Sequence, residues 1–388
     1  MFSGKTLAVI GASYLQLPLV LKARELGMRV VCFAWEDGAV CREHADRFYP
    51  VSILEKEKIL AFCRDEKVDA VTTIASDAAV PTVNFLADAL HLPGNSVLSG
   101  RLSTDKYAMR RALTGSGANC PGFRLFRTTD EAAEAANKLH YPVIVKPCDR
   151  SGSMGVTKVE DPSQLAGAAD LALQVSFQHA GIVEQWVDFR QEISVEGISF
   201  QGNYFPLAVT AKATGGPPHY VEIGHHQPAN LPPELEKEVL RQVRLGIDAL
   251  QITCGASHAE LMLTADHKVF ITEIGARMGG DFIGSDLVEL STGYDFLRGV
   301  LECALGNFSG ICQPLKKAAG VLFYTCHTPE VKTLLQQREL HHSIVRGEFD
   351  DVPNLPPLTR SADRSGYLIY RYDPAKGETM PFPALYNN

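Results

Sequence analysis

The sequence lacks the cysteine patterns that build disulfide frameworks and zinc sites. Its nine cysteines are odd in number, scattered along the chain and never spaced as CxxC. Secreted disulfide-rich domains and structural zinc sites depend on paired or closely spaced thiols. We therefore expect reduced thiols and a cytoplasmic protein.

Runs of positive charge and long apolar runs are also missing. The formal net charge is -8, which argues against a nonspecific nucleic-acid binder because such proteins need a basic surface. The apolar stretch in MFSGKTLAVIGASY is interrupted at Gly11 and Ser13, before a signal-peptide core or membrane span could form. We expect neither a nucleic-acid partner nor a membrane anchor.

The glycine fingerprint of dinucleotide-binding domains is absent, although the N-terminal pattern invites one. A short apolar strand from Thr6 to Ile10 meets a turn at Gly11 and then an amphipathic helix, which predicts a βαβ unit. Ser13 and Gln16 occupy the later glycine positions of GxGxxG. An NAD-dependent dehydrogenase is therefore disfavoured.

Length and composition predict a globular protein with more than one domain. The chain has 388 residues, of which 45% are hydrophobic and 21% charged. We expect an α/β (α+β) fold with a small parallel α/β domain over residues 1–103. Residues 104–186 should form a small lid subdomain with a linking helix, and residues 187–388 a mostly antiparallel catalytic domain with a small β tail.

The most informative segment is residues 259–280, AELMLTADHKVFITEIGARMGG. β-Forming residues alternate on both sides of a turn at Ala265, Asp266 and His267, which predicts two antiparallel strands. If the turn centres on Asp266 and His267, Glu260 lies opposite Glu273. Opposed like charges repel unless a cation lies between them, and Mg²⁺ suits oxygen ligands completed by phosphates. Two solvated glutamates on an exposed sheet face are the alternative.

A glycine and serine loop follows the apolar strand that ends at Lys146. Glycines at 152 and 155 allow backbone N–H groups to approach phosphate oxygens, and Ser151 and Ser153 add hydroxyl donors. It is not a Walker loop, and a flexible turn is the alternative. An unpaired ammonium at Lys146 would be unfavourable in this apolar setting, so we expect it to have an anionic partner.

Two further glutamates lie on predicted strands. A sheet edge at Glu184, with open backbone groups at 185–187, could recognise an adenine amino group. Glu192 could accept hydrogen bonds from ribose hydroxyls. Exposed strand glutamates are the alternative for both.

Taken in order, these segments resemble the ATP-grasp superfamily of carboxylate–amine ligases. The similarity covers nearly the whole chain and includes STDKY at 103–107, PVIVKP, the glycine loop, the VEQWV hinge and the glutamate pair that leads into GARMGG. It implies an ATP-grasp fold with a Rossmann-like N-terminal domain, ATP and Mg²⁺ (or Mn²⁺) as cofactors, small-molecule carboxylate and amine substrates, and a possible homodimer.

The resemblance also implies roles for individual residues. Glu260 and Glu273 would hold the metal, Glu192 would bind ribose, and Arg277 would stabilise the transferred phosphoryl group together with Lys146. Lys212 is a further candidate for the ATP site, with a solvated lysine as the alternative. The other ATP-binding residues implied are Lys106, Ser151, Gly152, Ser153, Met154, Gly155, Glu184, Gln185, Trp186 and Val187.

One position departs from the family pattern. Many members carry an asparagine metal ligand two residues after the second glutamate, where this chain has Gly275. The hairpin register places Gly275 opposite His258, so we hypothesise that His258 or a water fills the gap. A structural histidine is the alternative.

With this departure, the sequence most resembles the L-amino acid ligase branch of the superfamily. Members of that branch join two amino acids into a dipeptide. GlyGlyAsp at 279–281 and GGPPHYVEIGHHQP at 215–228 are part of that similarity, and the second, rich in proline and glycine, is where we expect a substrate loop. At most one of two adjacent strand histidines should face the site. The substrate residues implied are His225, His226, Arg277, Gly279, Gly280 and Asp281.

The expected activity is ATP-dependent amide formation through an acyl-phosphate, with release of ADP and phosphate. Bicarbonate as the substrate, as in carboxylases and carbamoyl-phosphate enzymes of this fold, is one alternative. A nucleotide-binding protein without ligase chemistry is another, which the intact glutamate pair and Arg277 disfavour. The identities of the acid and the amine stay open.

Overall fold

The computed structural model describes residues 1–217, 219–311 and 315–380, which fold around three sheets. The first sheet is parallel, with the strand order β3-β2-β1-β4. Its strands are apolar because helices cover them. The strands are β1 (Thr6–Ile10), β2 (Arg29–Ala34), β3 (Arg47–Pro50) and β4 (Ala70–Thr72), and the helices between and after them are α1 (Leu17–Glu25), α2 (Lys56–Asp65) and α3 (Val80–Ala89).

Two consecutive helices lead out of this sheet, α4 (Val97–Thr104) and α5 (Lys106–Ser116). Ser96 caps α4, and the Asp105 carboxylate accepts a hydrogen bond from the Ala108 N–H to begin α5. The buried face of α5 repeats at helical spacing and includes two cations, Lys106 and Arg110. Both cations are therefore carried toward the interior.

The second sheet has four antiparallel strands in the order β5-β8-β6-β7. Helices α6 and α7 cover it and share its apolar core. The elements are β5 (Phe123–Phe126), α6 (Thr129–Leu139), β6 (Val143–Pro147), β7 (Thr157–Val159), α7 (Pro162–Val175) and β8 (Gly181–Gln185). The glycine and serine loop joins β6 to β7.

The third sheet has eight antiparallel strands in the order β13-β12-β9-β10-β11-β14-β16-β15. Its strands are β9 (Phe189–Phe200), β10 (Asn203–Thr214), β11 (Glu222–Gln227), β12 (Gly255–Thr264), β13 (Val269–Gly275), β14 (Ala318–Phe323), β15 (Ile344–Phe349) and β16 (Gly366–Tyr372). Its helices are α8 (Pro233–Ala249), α9 (Val288–Thr292), α10 (Phe296–Ala304) and α11 (Glu330–Gln336).

Two apolar cores lie on opposite faces of the long strands β9 and β12. Ile193 and Val195 pack with α5 and α8 on one face. Ile198, on the other face, packs with α10 and with the helix side of the first sheet. The polar residues of that second face, further along the same strands, are left to line a site. No helix within the described residues is long and apolar enough to cross a membrane.

The expected fold class, a parallel α/β domain followed by smaller and larger antiparallel sheets, is confirmed. The proposed boundary between residues 103 and 104 falls in the last turn of α4, and the one between 186 and 187 falls between β8 and β9. The boundaries themselves stay a prediction.

Candidate active site

The predicted hairpin forms, and Glu260 lies opposite Glu273. The turn has three residues, because the Thr264 N–H donates to the Lys268 carbonyl at 3.0 Å. The register then shifts between Glu260 and Leu261, which leaves Thr272 as a bulge. Side chains alternate along a strand, so without the bulge Glu273 would share the core-facing side of Ile271. The bulge turns its carboxylate toward Glu260.

A buried arginine holds this bulge in place. Arg110 of α5 is fully buried, and its Nη2 donates to the Thr272 carbonyl at 2.5 Å. Its Nε lies 2.7 Å from Glu184 Oε1, while Lys146 Nζ lies 2.6 Å from Glu184 Oε2. The anionic partner expected for Lys146 is therefore Glu184.

Charge balance keeps Glu184 ionised. Burial alone would raise the pKa of Glu184, but the charges of Arg110 and Lys146 lower it below its usual range. Burial lowers the pKa of Lys146, and Glu184 opposes that effect. Sequence reasoning missed Arg110, although its spacing with Lys106, Met109 and Leu113 is that of a buried helix face.

Four charged side chains meet on the open face of β9, β10, β11 and β12. Lys212 Nζ lies 2.5 Å from Glu260 Oε1, 3.2 Å from Glu192 Oε1 and 3.7 Å from Glu222 Oε1. Burial would lower the pKa of Lys212, but the three carboxylates raise it well above its usual value. Lys212 is therefore a buried ammonium, and the solvated-lysine alternative is excluded.

His258 lies between two carboxylates. Its Nδ1 is 2.8 Å from Glu196 Oε1, and its Nε2 is 3.3 Å from Glu260 Oε1. Burial would lower the pKa of His258, but Glu196 and Glu260 raise it to about 9. Both ring nitrogens of His258 are thus engaged by carboxylates in the structure. The register opposite Gly275 is as expected, and the role of His258 in the metal site stays a prediction.

Arg277 is held by a residue from the first sheet. Its Nε and Nη2 donate to the two oxygens of Asp77 at 2.8 and 2.6 Å, and Asp77 begins the turn that follows β4. Burial would raise the pKa of Asp77, but Arg277 lowers it. A Cβ at Gly275 would lie 2.8 Å from Asp77 Oδ1. The glycine at this position therefore makes room for the Asp77–Arg277 pair.

Lys106 joins the glutamate pair to the glycine loop. Its Nζ donates to the Arg150 carbonyl at 2.6 Å and lies 3.2 Å from the Glu273 carboxylate. The loop that follows has left-handed backbone at Gly152, Ser153 and Gly155. Three groups expected to meet at the ATP phosphates, namely Lys106, Glu273 and the loop, are thus neighbours.

The strand that carries Glu184 is not a sheet edge, contrary to expectation. β8 pairs with β5 on one side and β6 on the other. The Gln185 N–H donates to the Gly122 carbonyl and the Trp186 N–H to the Pro142 carbonyl. Glu184 is buried between two cations, so it does not offer its carboxylate to a base. Of the residues expected to bind adenine, Trp186 and Val187 lie beyond the end of β8, and their role stays a prediction.

The two adjacent histidines point to opposite sides of β11. His225 Nε2 lies 3.8 Å from Asp281 Oδ2, whereas His226 lies parallel to the rings of Tyr370 and Tyr372. The substrate role expected of His226 is therefore wrong, because its ring packs within the β tail. Burial lowers the pKa of His225.

Arg364 completes the surroundings of Asp281. Its Nη1 donates to Asp281 Oδ2 at 2.7 Å, and its Nε donates to the Glu222 carbonyl at 3.1 Å. A Cβ at Gly279 would lie 2.8 Å from His258 Nδ1, so the chain passes tightly beside that ring. Sequence reasoning missed Arg364, which lies in the β tail far from the other motifs.

Comparison of the sequence with known proteins finds a matching family and several similar ligases and transferases. Residues 139–286 match the family described as the ATP-grasp domain. The chain is 24% identical over 292 residues to a formate-dependent phosphoribosylglycinamide formyltransferase of Bacillus velezensis, covering 71% of this chain and 72% of that protein. It is 24% identical over 247 residues to an alanine–anticapsin ligase of Bacillus subtilis, covering 58% of this chain but only 51% of that ligase.

The likeness extends to the whole fold. The crystal structure of an L-amino acid ligase from Bacillus licheniformis superposes with a TM-score of 0.77 at 24% identity, covering 96% of this chain and 94% of that chain. At this identity the likeness concerns the fold. The chain therefore contains an ATP-grasp domain over residues 139–286, and its overall fold is that of these proteins.

Proposed function

We propose that this protein uses ATP to join a carboxylate to an amine, forming an amide such as that of a dipeptide, with release of ADP and phosphate. The observation that carries the proposal is the Glu260–Glu273 pair and the cations beside it: Lys106 contacts Glu273, Lys212 contacts Glu260, and the charges of both glutamates act on Arg277. Carboxylates for a metal and cations for phosphates are what phosphoryl transfer requires.

The donor set fits Mg²⁺ (or Mn²⁺). Glu260 and Glu273 offer hard oxygen ligands, and carboxylate oxygens of Glu192, Glu222 and Glu260 lie within 4.8 Å of one another. Glu260 and Glu273 would hold the metal, which would neutralise phosphate charge. Lys212 already contacts Glu260 and Glu192, so it would hold both carboxylates in place.

The chain's own residues would position ATP. Lys106 and Lys146 would bind phosphates, residues 151–155 would cover them, and Glu192 would accept from the ribose. Trp186 and Val187 would border the adenine. Lys146 can serve only while Glu184 holds its charge in place, because burial and the nearby Arg110 both lower its pKa.

The reaction has two transfers. A carboxylate oxygen of the acid attacks the γ-phosphorus and displaces ADP, which forms an acyl-phosphate. The amine nitrogen then attacks the acyl carbon, phosphate leaves with the bonding electron pair, and the amine loses a proton. Arg277 would turn part of its guanidinium from Asp77 to the transferred phosphoryl group, and the loop over the phosphates would exclude water from the acyl-phosphate.

Amino acids are the substrates that the similarities favour. The alanine–anticapsin ligase and the L-amino acid ligase are both named for amino-acid substrates. The Asp77–Arg277 and Asp281–Arg364 ion pairs supply charges of both signs, as a zwitterion would need. A cytoplasmic location and a homodimer stay predictions.

Phosphate release from MgATP by the purified protein tests this function. The amino acids are supplied singly and in pairs, and bicarbonate is a separate condition. We expect release that requires amino acids and yields ADP. Phosphate release with bicarbonate alone would instead favour the carboxylating alternative. No phosphate release under any condition would contradict the ligase function.

Two site variants belong to this test. Glu273→Gln and Arg277→Ala should each lower turnover by roughly 10² to 10³, as expected for the loss of one group that stabilises a transition state. Glu234→Gln, an exposed helix residue, is the matched control and should be unaffected. Near-normal activity in both site variants would refute the assignment.

A further inference from the structure

A large cavity lies beside the glutamate pair, at the carboxyl ends of the parallel strands. Its volume is about 790 Å³, within the range of small-molecule sites. The first sheet, α4 and the glycine loop contribute its walls, and Glu273 and Lys106 line it directly. Whatever occupies the cavity therefore reaches the proposed phosphoryl-transfer centre.

The two ends of the cavity differ in chemistry. At the inner end Lys106 is only 5% exposed and contacts Glu273. Other charged side chains of the wall are engaged, Asp77 with Arg277 and Asp149 with the backbone N–H groups of Phe177 and Gln178, whereas Asp37 and Arg101 are exposed. The inner end thus suits one small charged group.

The outer end is apolar and open. Trp35, Leu54, Val97, Met154 and Phe177 all line the cavity and are 51–70% exposed. They are five of the fourteen large hydrophobic side chains that are exposed among the described residues. Exposed apolar side chains are ordinarily scattered singly, and a cluster marks a binding site.

This apolar rim has two sides. Trp35, Leu54 and Val97 come from the N-terminal part of the chain, whereas Met154 lies in the glycine loop and Phe177 just beyond α7. The Arg150 guanidinium lies 3.5 Å from the Phe177 ring centroid, so that ring is held in position. An apolar group between the two sides would remove both from water.

We propose that the acid activated at this site carries a bulky apolar side chain, of the size of leucine, methionine or phenylalanine. Its carboxylate lies at the inner end near Lys106 and Glu273, and its side chain lies between the apolar residues of the rim. This inference rests on the proposed ligase function, since it assigns the acid substrate of the same site.

Binding can be measured without turnover. The unaltered protein is titrated calorimetrically with L-leucine, L-methionine, L-alanine and L-glutamate in the presence of Mg²⁺ and a non-hydrolysable ATP analogue. We expect saturable heats of binding with L-leucine and L-methionine, and at least about tenfold weaker binding of L-alanine and L-glutamate.

A matched pair of variants locates the side chain. Leu54→Gln places a polar group on the rim, while Leu171→Gln makes the same change at an exposed position of α7 that does not line the cavity. In otherwise wild-type enzyme, Leu54→Gln should raise the KM for L-leucine severalfold, and Leu171→Gln should not. Calorimetric titration of both variants gives the same comparison if turnover is absent.

The outcomes separate this inference from the ligase proposal. Tight binding of L-leucine without amino-acid-dependent phosphate release would uphold the apolar cavity and refute the ligase. Phosphate release that prefers L-alanine or L-glutamate, with equal effects of the two leucine variants, would uphold the ligase and overturn the inference.

Discussion

At the residue scale, the Asp77–Arg277 pair connects the first sheet to the reaction. In the proposed reaction Arg277 contacts the transferred phosphoryl group, yet its Nε and Nη2 donors are engaged by Asp77 in the structure. Burial would lower the pKa of Arg277, and Asp77 raises it, so the guanidinium is always charged. We infer that Asp77 acts as a positioning residue that orients Arg277 before ATP binds.

Replacing Asp77 by asparagine tests this role. The amide oxygen of the new side chain can accept one hydrogen bond, but the amide cannot accept the bidentate pair. We therefore expect kcat to fall by about 10²-fold, the order seen for misplaced catalytic groups, with the KM for ATP little changed. Steady-state kinetics with varied ATP separates the two constants. Asp88→Asn, an exposed change on α3, is the control, and an unaltered kcat in Asp77→Asn would contradict the role.

His226 makes the free energy of unfolding of the protein depend on pH. Burial lowers its pKa from 6.5 to about 4, so between those values the unfolded chain binds a proton that the folded chain does not. Its contribution to the free energy of unfolding is complete above pH 6.5 and is lost progressively down to pH 4. The full loss is about 3 kcal/mol.

Denaturant unfolding across this pH range measures the effect. The free energy of unfolding should fall less steeply with decreasing pH in His226→Gln than in the unaltered protein. His267→Gln, at the exposed turn between β12 and β13, should leave the slope unchanged. Identical slopes in all three proteins would show that His226 titrates normally in the folded state.

At the scale of elements, the hairpin shows what the sequence can and cannot predict. Alternation and a turn at Asp266 and His267 were enough to place Glu260 opposite Glu273. The three-residue turn alone would have shifted that pairing by one residue, and the bulge at Thr272 restores it. The bulge depends on the buried Arg110, which donates to the Thr272 carbonyl from another element. A local sequence pattern cannot predict a hydrogen bond that comes from a different element.

The segment at 215–228 is a second example. Its glycines and prolines favour a substrate loop, but residues 222–227 form β11 inside the eight-stranded sheet. β11 pairs with β14, which comes much later in the chain. The expectation that His225 and His226 point to opposite faces of a strand is correct, because the alternation of side chains along a strand depends only on local geometry.

The glycine loop can be tested at the same scale. A Cβ at Gly155 would lie 2.7 Å from Val175 Cγ2, whereas a Cβ at Gly152 would meet nothing within 4 Å. Both residues have positive φ, so alanine costs roughly 1 kcal/mol of backbone strain at either. Only Gly155→Ala must also move the loop away from α7, and we expect it to lower kcat/KM for ATP more than Gly152→Ala does.

Steady-state kinetics of the two alanine variants, compared directly, makes this check. Their shared backbone strain is the internal control for conformational cost. If both variants lose the same activity, or neither does, packing of the loop against α7 has no part in covering ATP.

At the scale of the whole molecule, the site is built where three sheets meet. The first sheet joins the third through a bridge between Ile74 and Met278, next to the Asp77–Arg277 pair. Sequence periodicity predicted the parallel and antiparallel parts because each period is local. It could not predict that residues 200 positions apart would form an ion pair, since that depends on how the sheets pack.

The central claim is that the acid is activated as an acyl-phosphate. In that reaction one carboxylate oxygen of the acid leaves with the phosphate. The most direct measurement incubates the protein with MgATP and a mixture of L-amino acids labelled with ¹⁸O in their carboxylates, and then analyses the phosphate by mass spectrometry. We predict that the phosphate released above background carries one ¹⁸O atom. Amino-acid-dependent phosphate with no ¹⁸O would contradict the account.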